Sequence, residues 1–558
     1  MELEEIRQRL QDKFPESILG SDTFRGEITI CLKAEEILPI CRFLRDDLHY
    51  NYLTDLCGVD HCPCEPRFGV VYHLCAMETR ERLRLKVALD GADPSISSVT
   101  SVWKGADWME REAFDMYGIR FEGHPDLRRI LLPPEWEGYP LRKDYPLRGL
   151  GNEKTKILNS DKFILWEYMA NKETMVINMG PQHPSTHGVL RIVLELDGEV
   201  VVKATPDVGF LHRGIEKLAE NRTYHQCITL TDRLDYVAGM SNNLAYVLAV
   251  EKLFGMEAPP RAQAIRVILS ELQRIASHLL WLGTHAHDIG AMTPFFYTLR
   301  ERDEVLFLFE RVCGARLTPS YFRVGGLARD LPEGFENACR EFLRTFQTRV
   351  DEYETLLTKN TIWMRRTRDV GTISGADAVS WGISGPVLRA SNVNWDLRKA
   401  MPYCGYENYE FTVPLGQNGD VYDRYCVRIM EMRQSNEIVR QALDRLPKGE
   451  INVADPKVVY PPKEKVRESI EALIHHFHIA SEGFPAPRGE VYTAIESPKG
   501  ELGFYLVSDG ANKPSRLRIR PPSFLNLSAL PQMVEGRMIA DVVAIIGSID
   551  IVLAEIDR

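Results

Sequence analysis

Apolar and polar positions change rhythm twice along this chain. Early on, Ile28–Leu32 and Gly69–Cys75 read as strands, and the opening twenty residues, with acids among their bases, read as a helix. Trp108–Tyr117 follows as a helix presenting Trp108, Phe114 and Met116 to a core, and Pro140–Ser160, rich in Pro, Gly, Lys and Asn, reads as a linker. Next, Val189–Val202 alternates and breaks at Asp197-Gly198, a hairpin signal. From Gly214 the period becomes helical. Arg261–His287 lines up Ile265, Leu269, Leu272, Ile275, Leu279 and Leu282 on one stripe, leaving Arg266, Glu271 and Arg274 largely off it. Arg300–Gly314 and Glu336–Lys359 are similarly amphipathic, Gly371–Gly419 is loop-rich, and Glu490–Arg520 alternates like strands. The expected fold class is α+β: an α/β module with a mixed sheet over residues 1–148, a linker over 149–174, and a helix-rich domain with small flanking β elements over 175–558.

Composition narrows the function classes. The chain has 558 residues, 44% hydrophobic and 26% charged, which suits a globular protein with more than one core. A formal charge of −11 argues against nucleic acid as a partner. The opening residues lack the apolar segment of a signal peptide, and the best apolar run, Val542–Ile549, is bounded by Asp541 and Asp550 and too short to cross a bilayer. The eleven cysteines are scattered without a Cys-x-x-Cys, so no metal cluster is expected on this chain. Cys62 and Cys64, beside His61, form the only close thiol pair; a polar loop with incidental thiols is preferred over a metal site. No Gly-x-Gly-x-x-Gly follows a strand, so a dinucleotide is expected to bind elsewhere.

The candidate chemistry begins at Gly180-Pro-Gln-His-Pro-Ser-Thr-His-Gly188, which places His183 and His187 in a stretch too turn-prone for helix. Alone it is a strand-entry turn with polar histidines. It is followed, in one order, by Gly209-Phe-Leu-His-Arg-Gly-Ile-Glu216, Arg222-Thr-Tyr224, Asp232-Arg-Leu-Asp-Tyr236, Asp288-Ile-Gly-Ala-Met-Thr-Pro-Phe-Phe296 and Ser508-Asp-Gly510. From about Met175 onward these blocks resemble the D subunit of the proton-pumping NADH:quinone oxidoreductase, respiratory complex I. Within residues 1–148, Trp103–Gly118, Phe121–Ile130 and Leu141–Pro146 resemble its C subunit, so the chain is expected to be a C/D fusion. Glu110, Arg111 and Asp115 sit at helical spacing, but the resemblance makes that module a scaffold and their expected work is bonding the next loop.

The D-subunit family is similar in fold to nickel–iron hydrogenase large subunits, whose metal is held by two cysteine pairs. Here Val552 and Glu555 stand where the terminal thiolates would be, and Arg558 where a histidine would be, so a soft metal lacks ligands. The resemblance implies instead that a quinone headgroup enters the site. His187, Tyr236 and Asp288 match the family's positions: phenol and imidazole as donors to the quinone oxygens, and Asp288 pairing with His187. Taken alone, Tyr236 would read as a core tyrosine with a satisfied hydroxyl. Arg233 matches an arginine beside a neighbouring subunit's iron–sulfur cluster; by itself it reads as a surface ion pair with Asp232 or Asp235. Thr318 occupies a position where many relatives carry a histidine near that cluster, which favours a low-potential acceptor such as menaquinone over ubiquinone.

The resemblance therefore implies a peripheral-arm subunit on the cytoplasmic face of a bacterial inner membrane. It would work beside the cluster-bearing B and I subunits, the membrane H subunit, and the electron-input module, with NADH bound in partner subunits. A non-catalytic scaffold joining cluster-bearing subunits to a membrane module is the alternative, and a membrane-bound hydrogenase relative is disfavoured by the missing cysteines.

Overall fold

The structure, a computed structural model, describes residues 3–151, 174–183 and 188–558. Its first sheet has the order β1-β2-β5-β4-β3, built from Ile18–Phe24, Glu27–Leu32, Glu81–Leu89, Phe68–Ala76 and Tyr52–Asp60. Only the β2–β5 pair is parallel, so the sheet is mixed. Both expected strands lie inside it, the first longer by one residue at its start and the second by one at each end. The opening segment differs from expectation: helix α1 (Leu3–Lys13) ends before strand β1, because Pro15 cannot continue a helix and Ile18–Phe24 finds a partner in β2.

Helices α2 (Ile37–Asp46) and α3 (Ala106–Tyr117) pack against this sheet. In α3, Trp108 and Met116 are buried as expected, whereas Phe114 is half-buried. Its charged residues bond the neighbouring loops. Asp115 Oδ2 accepts the backbone N–H groups of Ile130, Leu131 and Leu132 at 3.1, 2.8 and 3.0 Å, and Arg111 donates to the carbonyls of Arg128 and Arg129. Glu110 accepts from Ser98 Oγ and from the Val99 N–H, each at 2.7 Å. All three residues have partners that explain their burial.

In the second unit, Met175–Met179, Arg191–Asp197 and Val200–Asp207 form a three-stranded antiparallel sheet, with the hairpin turning at Gly198. The helical body contains α4 (Gly239–Phe254), α5 (Pro260–Asp288), α6 (Met292–Cys313), α7 (Phe335–Leu357) and α8 (Val421–Asp444). A second antiparallel sheet follows, made of Gly489–Ser497, Gly500–Ser508 and Arg516–Arg520.

Helix α5 departs from the amphipathic expectation. Its leucine and isoleucine stripe is buried, but so are Arg266, Glu271, Arg274 and His278, all at 0–1% exposure. The helix lies between α4, α6, α8 and the helix Ile539–Ile549, so it has no solvent face along most of its length. Its charges are neutralised inside: Arg266 pairs with Glu251 at 2.6 Å, Arg398 with Glu271 at 3.0 Å, and His278 Nε2 meets Glu431 at 2.8 Å. Arg389 joins Glu431 and Glu496 at 2.7 and 2.8 Å. A helix polar on one face need not show that face to water when neighbours supply countercharges.

The two units share an apolar core that runs from Ile30, Leu74 and Trp103 to Leu388, Phe524 and Ile546. Cys57, Val59 and Val71 of the first sheet stack on Tyr492 and Tyr505 of the last. Beside that stack lies an ion-pair seam. The strand Arg516-Leu-Arg-Ile-Arg520 sends Arg518 to Asp55 at 2.9 Å and to Glu112, Arg516 to Glu216 at 2.7 Å, and Arg520 Nε to the Thr54 carbonyl at 3.0 Å. Gly209, at φ +103, lies so close to Leu131 that a Cβ would meet its carbonyl oxygen at 2.1 Å, so only glycine fits.

Candidate functional site

Tyr236 lies on the short loop between the helix Tyr224–Thr231 and α4. The residue is 41% exposed while the backbone around it is fastened on both sides. Asp235 Oδ1 accepts the Val237 N–H at 2.9 Å, and the Val237 carbonyl accepts from Gln273 Nε2 of α5 at 2.5 Å. A phenol held out from a rigid loop differs from the satisfied core tyrosine of the blander reading. Burial, then the Asp235 carboxylate, raises the Tyr236 pKa, so the hydroxyl keeps its proton at neutral pH and is a donor.

Arg233, three residues earlier, pairs with Asp232 at 2.8 Å and donates to the Thr229 carbonyl; its side chain is 57% exposed. Of Asp232 and Asp235, the geometry selects Asp232 as its partner. Asp235 is turned inward to Lys499. Thr318, with a left-handed φ of 50, lies against the same loop: a Cβ on Gly239 would be 3.4 Å from the Asp232 carbonyl oxygen and 3.5 Å from the Thr318 Cα. Arg233 and Thr318 therefore belong to one neighbourhood.

Asp288 is the last residue of α5 and is half-buried. Two helical turns earlier, Leu280 packs on Val237, Val552 and Ala554, so α5, the Tyr236 loop and the C-terminal residues form one structure. His187 lies outside the described residues, as do the other residues from 184 to 186. Its expected pairing with Asp288 concerns that segment.

The motif Gly209–Arg213 clasps the C terminus. Gly209 and Leu211 donate to the Asp557 carboxylate at 2.8 and 2.7 Å, and His212 Nδ1 meets the Asp557 carbonyl at 2.6 Å. Arg213 donates to the Ala554 carbonyl at 2.9 Å and to that of Arg233 at 3.1 Å. The three residues standing where hydrogenase ligands would be are accounted for individually. Val552 is apolar packing, Glu555 accepts from Ser523 Oγ, and Arg558 reaches Glu112 at 2.8 Å and the Ile519 carbonyl at 2.6 Å. Among the described residues no group of three or more His, Cys, Asp or Glu is placed to hold a metal ion. In the Cys62–Cys64 loop, the Cys62 N–H donates to Asp60 and Cys64 is exposed.

A buried charge cluster behind Tyr236 was not legible beforehand. Lys499 Nζ is 2.9 Å from Asp235 and 3.6 Å from Asp550, and all three residues are buried. Lys499 occupies a tight hairpin turn, where a lysine is ordinarily solvated, so nothing local announced it.

Residues 288–558 match the family described as respiratory-chain NADH dehydrogenase, 49 Kd subunit, and residues 30–150 match respiratory-chain NADH dehydrogenase, 30 Kd subunit. The class is thus a respiratory-chain dehydrogenase subunit that unites two such parts in one chain. The NADH-quinone oxidoreductase C/D subunit of Methylococcus capsulatus is 45% identical over 97% of this chain and 96% of its own, and that of Bdellovibrio bacteriovorus is 43% identical over all of both. The NADH-quinone oxidoreductase D subunit of Geotalea uraniireducens is 63% identical over 70% of this chain and 100% of its own. The chain belongs to the C/D family of NADH-quinone oxidoreductase subunits and is one component of that oxidoreductase complex.

Proposed function

We propose that this subunit forms part of the quinone-reduction site, with Tyr236 and His187 as donors to the quinone oxygens and Asp288 holding the imidazole. Reduction to quinol consumes two electrons and two protons, and this chain's residues deal with the protons. The observation that carries the reading is Tyr236 itself: a protonated phenol, exposed on a loop bolted to α5 and the C terminus. A donor that must meet a developing negative charge works best when its position is fixed beforehand. An imidazole such as that of His187 is reprotonated easily near neutral pH, and in this reading Asp288 favours its charged form. Arg233 and Thr318 together face the neighbouring subunit's iron–sulfur cluster. Threonine cannot take up a proton when that cluster is reduced, which favours a low-potential quinone such as menaquinone.

The same reading puts the chain in the peripheral arm of a membrane-associated complex, on the cytoplasmic side of a bacterial inner membrane. The B, I and H subunits are its neighbours, and NADH and the clusters are held by partners. No described helix is long and apolar enough to cross a membrane, so attachment runs through those neighbours.

The test is Tyr236→Phe in the assembled complex. It keeps the ring and deletes one hydrogen bond to a charged group, worth about 1.5–3 kcal/mol, so NADH-to-quinone turnover should fall roughly ten- to hundredfold. Transfer from NADH to an artificial acceptor upstream should persist. Wild-type quinone turnover in a fully assembled variant would leave the scaffold reading in its place.

A further inference from the structure

Tyr236 sits on a loop whose peptide groups are held one after another. The peptide before it presents the Asp235 carbonyl, which accepts from Asn242 Nδ2 of α4 at 2.9 Å and from the Ala238 N–H at 3.0 Å. The peptide after it presents the Val237 N–H, which donates to Asp235 Oδ1 at 2.9 Å. One peptide further on, the Val237 carbonyl accepts from Gln273 Nε2 of α5 at 2.5 Å. Peptide groups are planar, so restraining the two that flank an α-carbon restrains both of its soft dihedrals and the direction in which its side chain leaves.

The Asp235 carboxylate that closes this arrangement is itself anchored. Its Oδ2 lies 2.9 Å from Lys499 Nζ, which also donates to Ser277 Oγ at 3.4 Å. Gln273, Ser277 and Leu280 follow one another on α5 at spacings of four and three, so one face of that helix carries the amide, the hydroxyl that seats Lys499 and the leucine that packs on Val237. On α4 the next residue, Asn243, accepts from the Thr231 hydroxyl at 2.9 Å and donates to the Pro319 carbonyl at 3.4 Å.

Asn242 and Gln273 are costly ways to fill a core. They are 1% and 3% exposed, and among the described residues Asn242 Oδ1 and Gln273 Oε1 have no hydrogen-bond partner, whereas Asn243 is engaged at both ends. A buried amide with an unsatisfied oxygen is less favourable than an apolar residue of similar shape, so what accounts for each is the bond that its NH2 makes. Only an N–H can face a carbonyl oxygen, which sets the orientation of both amides.

We propose that Asn242 and Gln273 are positioning residues for quinone reduction: acting through the backbone of residues 235–237, they hold the Tyr236 phenol on the line along which it donates to a quinone oxygen. The inference rests on Tyr236 being that donor and adds the residues that aim it. A donor fixed in advance needs no rearrangement as negative charge develops on the oxygen, so the two amides raise the rate of the step and leave the holding of quinone to other groups.

The experiment uses the purified whole complex and a water-soluble quinone analogue. Gln273→Met keeps the length of the side chain and Asn242→Leu its branching, and each deletes one bond to the loop. In each, kcat should fall about tenfold while KM changes less than about twofold, since a displacement of about 1 Å costs roughly a hundredfold and a clamp loosened on one side moves the phenol by less. Transfer from NADH to an artificial acceptor upstream reports assembly, and because the two amides lie on different helices, either variant that assembles decides the matter. Each substitution is then added to Tyr236→Phe. Residues that act through the phenol have nothing left to aim once it is gone, so the double variants should be no slower than Tyr236→Phe alone. A further tenfold loss in the double variants, or wild-type kcat in the single variants beside a slow Tyr236→Phe, would overturn the positioning role and leave Tyr236 as donor. A Tyr236→Phe complex with wild-type quinone turnover would instead overturn the reading on which that role rests.

Discussion

Strand β4 of the first sheet and helix α5 solve the problem of burial in opposite ways. The strand is buried along its whole length, mostly by apolar or small side chains; its one strongly polar residue, His73, accepts from Arg84 directly opposite on β5. In α5, a helix of 29 residues, the buried surface includes two arginines, a glutamate and a histidine: Arg266, Glu271 and His278 meet Glu251, Arg398 and Glu431 of other elements, and Arg274 pairs with Glu271 one turn earlier and donates to the Ser497 and Glu496 carbonyls. Apolar packing tolerates approximate partners, because dispersion and water exclusion are not directional. Buried charge demands particular ones. Helix α5 is therefore the more specifically determined of the two, and it lies in the unit that carries the proposed site.

That contrast can be broken experimentally, beginning with the largest effect. Arg389→Ala leaves Glu431 and Glu496 facing each other in the interior, and should cost about 3–5 kcal/mol in denaturant unfolding of the full chain. Replacing Arg389 and Glu431 together by leucine and methionine should cost less than Arg389→Ala alone; a larger loss would refute the charge argument. Leu74→Ala, in the apolar counterpart, should cost about 2–5 kcal/mol through an ordinary cavity.

The pH response separates two buried glutamates. Burial pushes Glu271 up, but Arg274, Arg398 and the hydroxyls of Ser435 and Tyr406 outweigh it and hold it at about 2. Its contribution to stability is present above the ordinary 4.5 and should be lost as pH falls towards 2. Glu555 behaves oppositely. With a carboxyl raised from 4.5 to about 8, it favours the folded state at low pH, and stability should decline as pH rises between those values. Glu555→Gln should flatten that alkaline decline, and the thermal midpoint measured across pH checks it. The smallest effect belongs to the surface: Arg344→Ala removes an exposed pair with Glu341 and should leave the midpoint unchanged.

The sequence by itself determined the elements whose signal is local. Short β-branched apolar runs located the strands Glu27–Leu32 and Phe68–Ala76, alternation located the strand region that ends at Arg520, and Asp197-Gly198 located the hairpin, since turn chemistry and alternation act over a few residues. The ordered motifs located the family, and with it Tyr236, Arg233 and Asp288 as candidates. Only the tertiary structure decided that Arg266, Glu271 and Arg274 face inward, because exposure depends on which helices surround α5 and not on its own period. It alone joined the two units, through Arg516 and Arg520 reaching the Gly58 and Thr54 carbonyls and Arg518 reaching Asp55, across more than four hundred residues of chain. Lys499 makes the same point at the site: a lysine in a hairpin turn looks solvated until Asp235 and Asp550 close over it, since charge partners are chosen by distance in space.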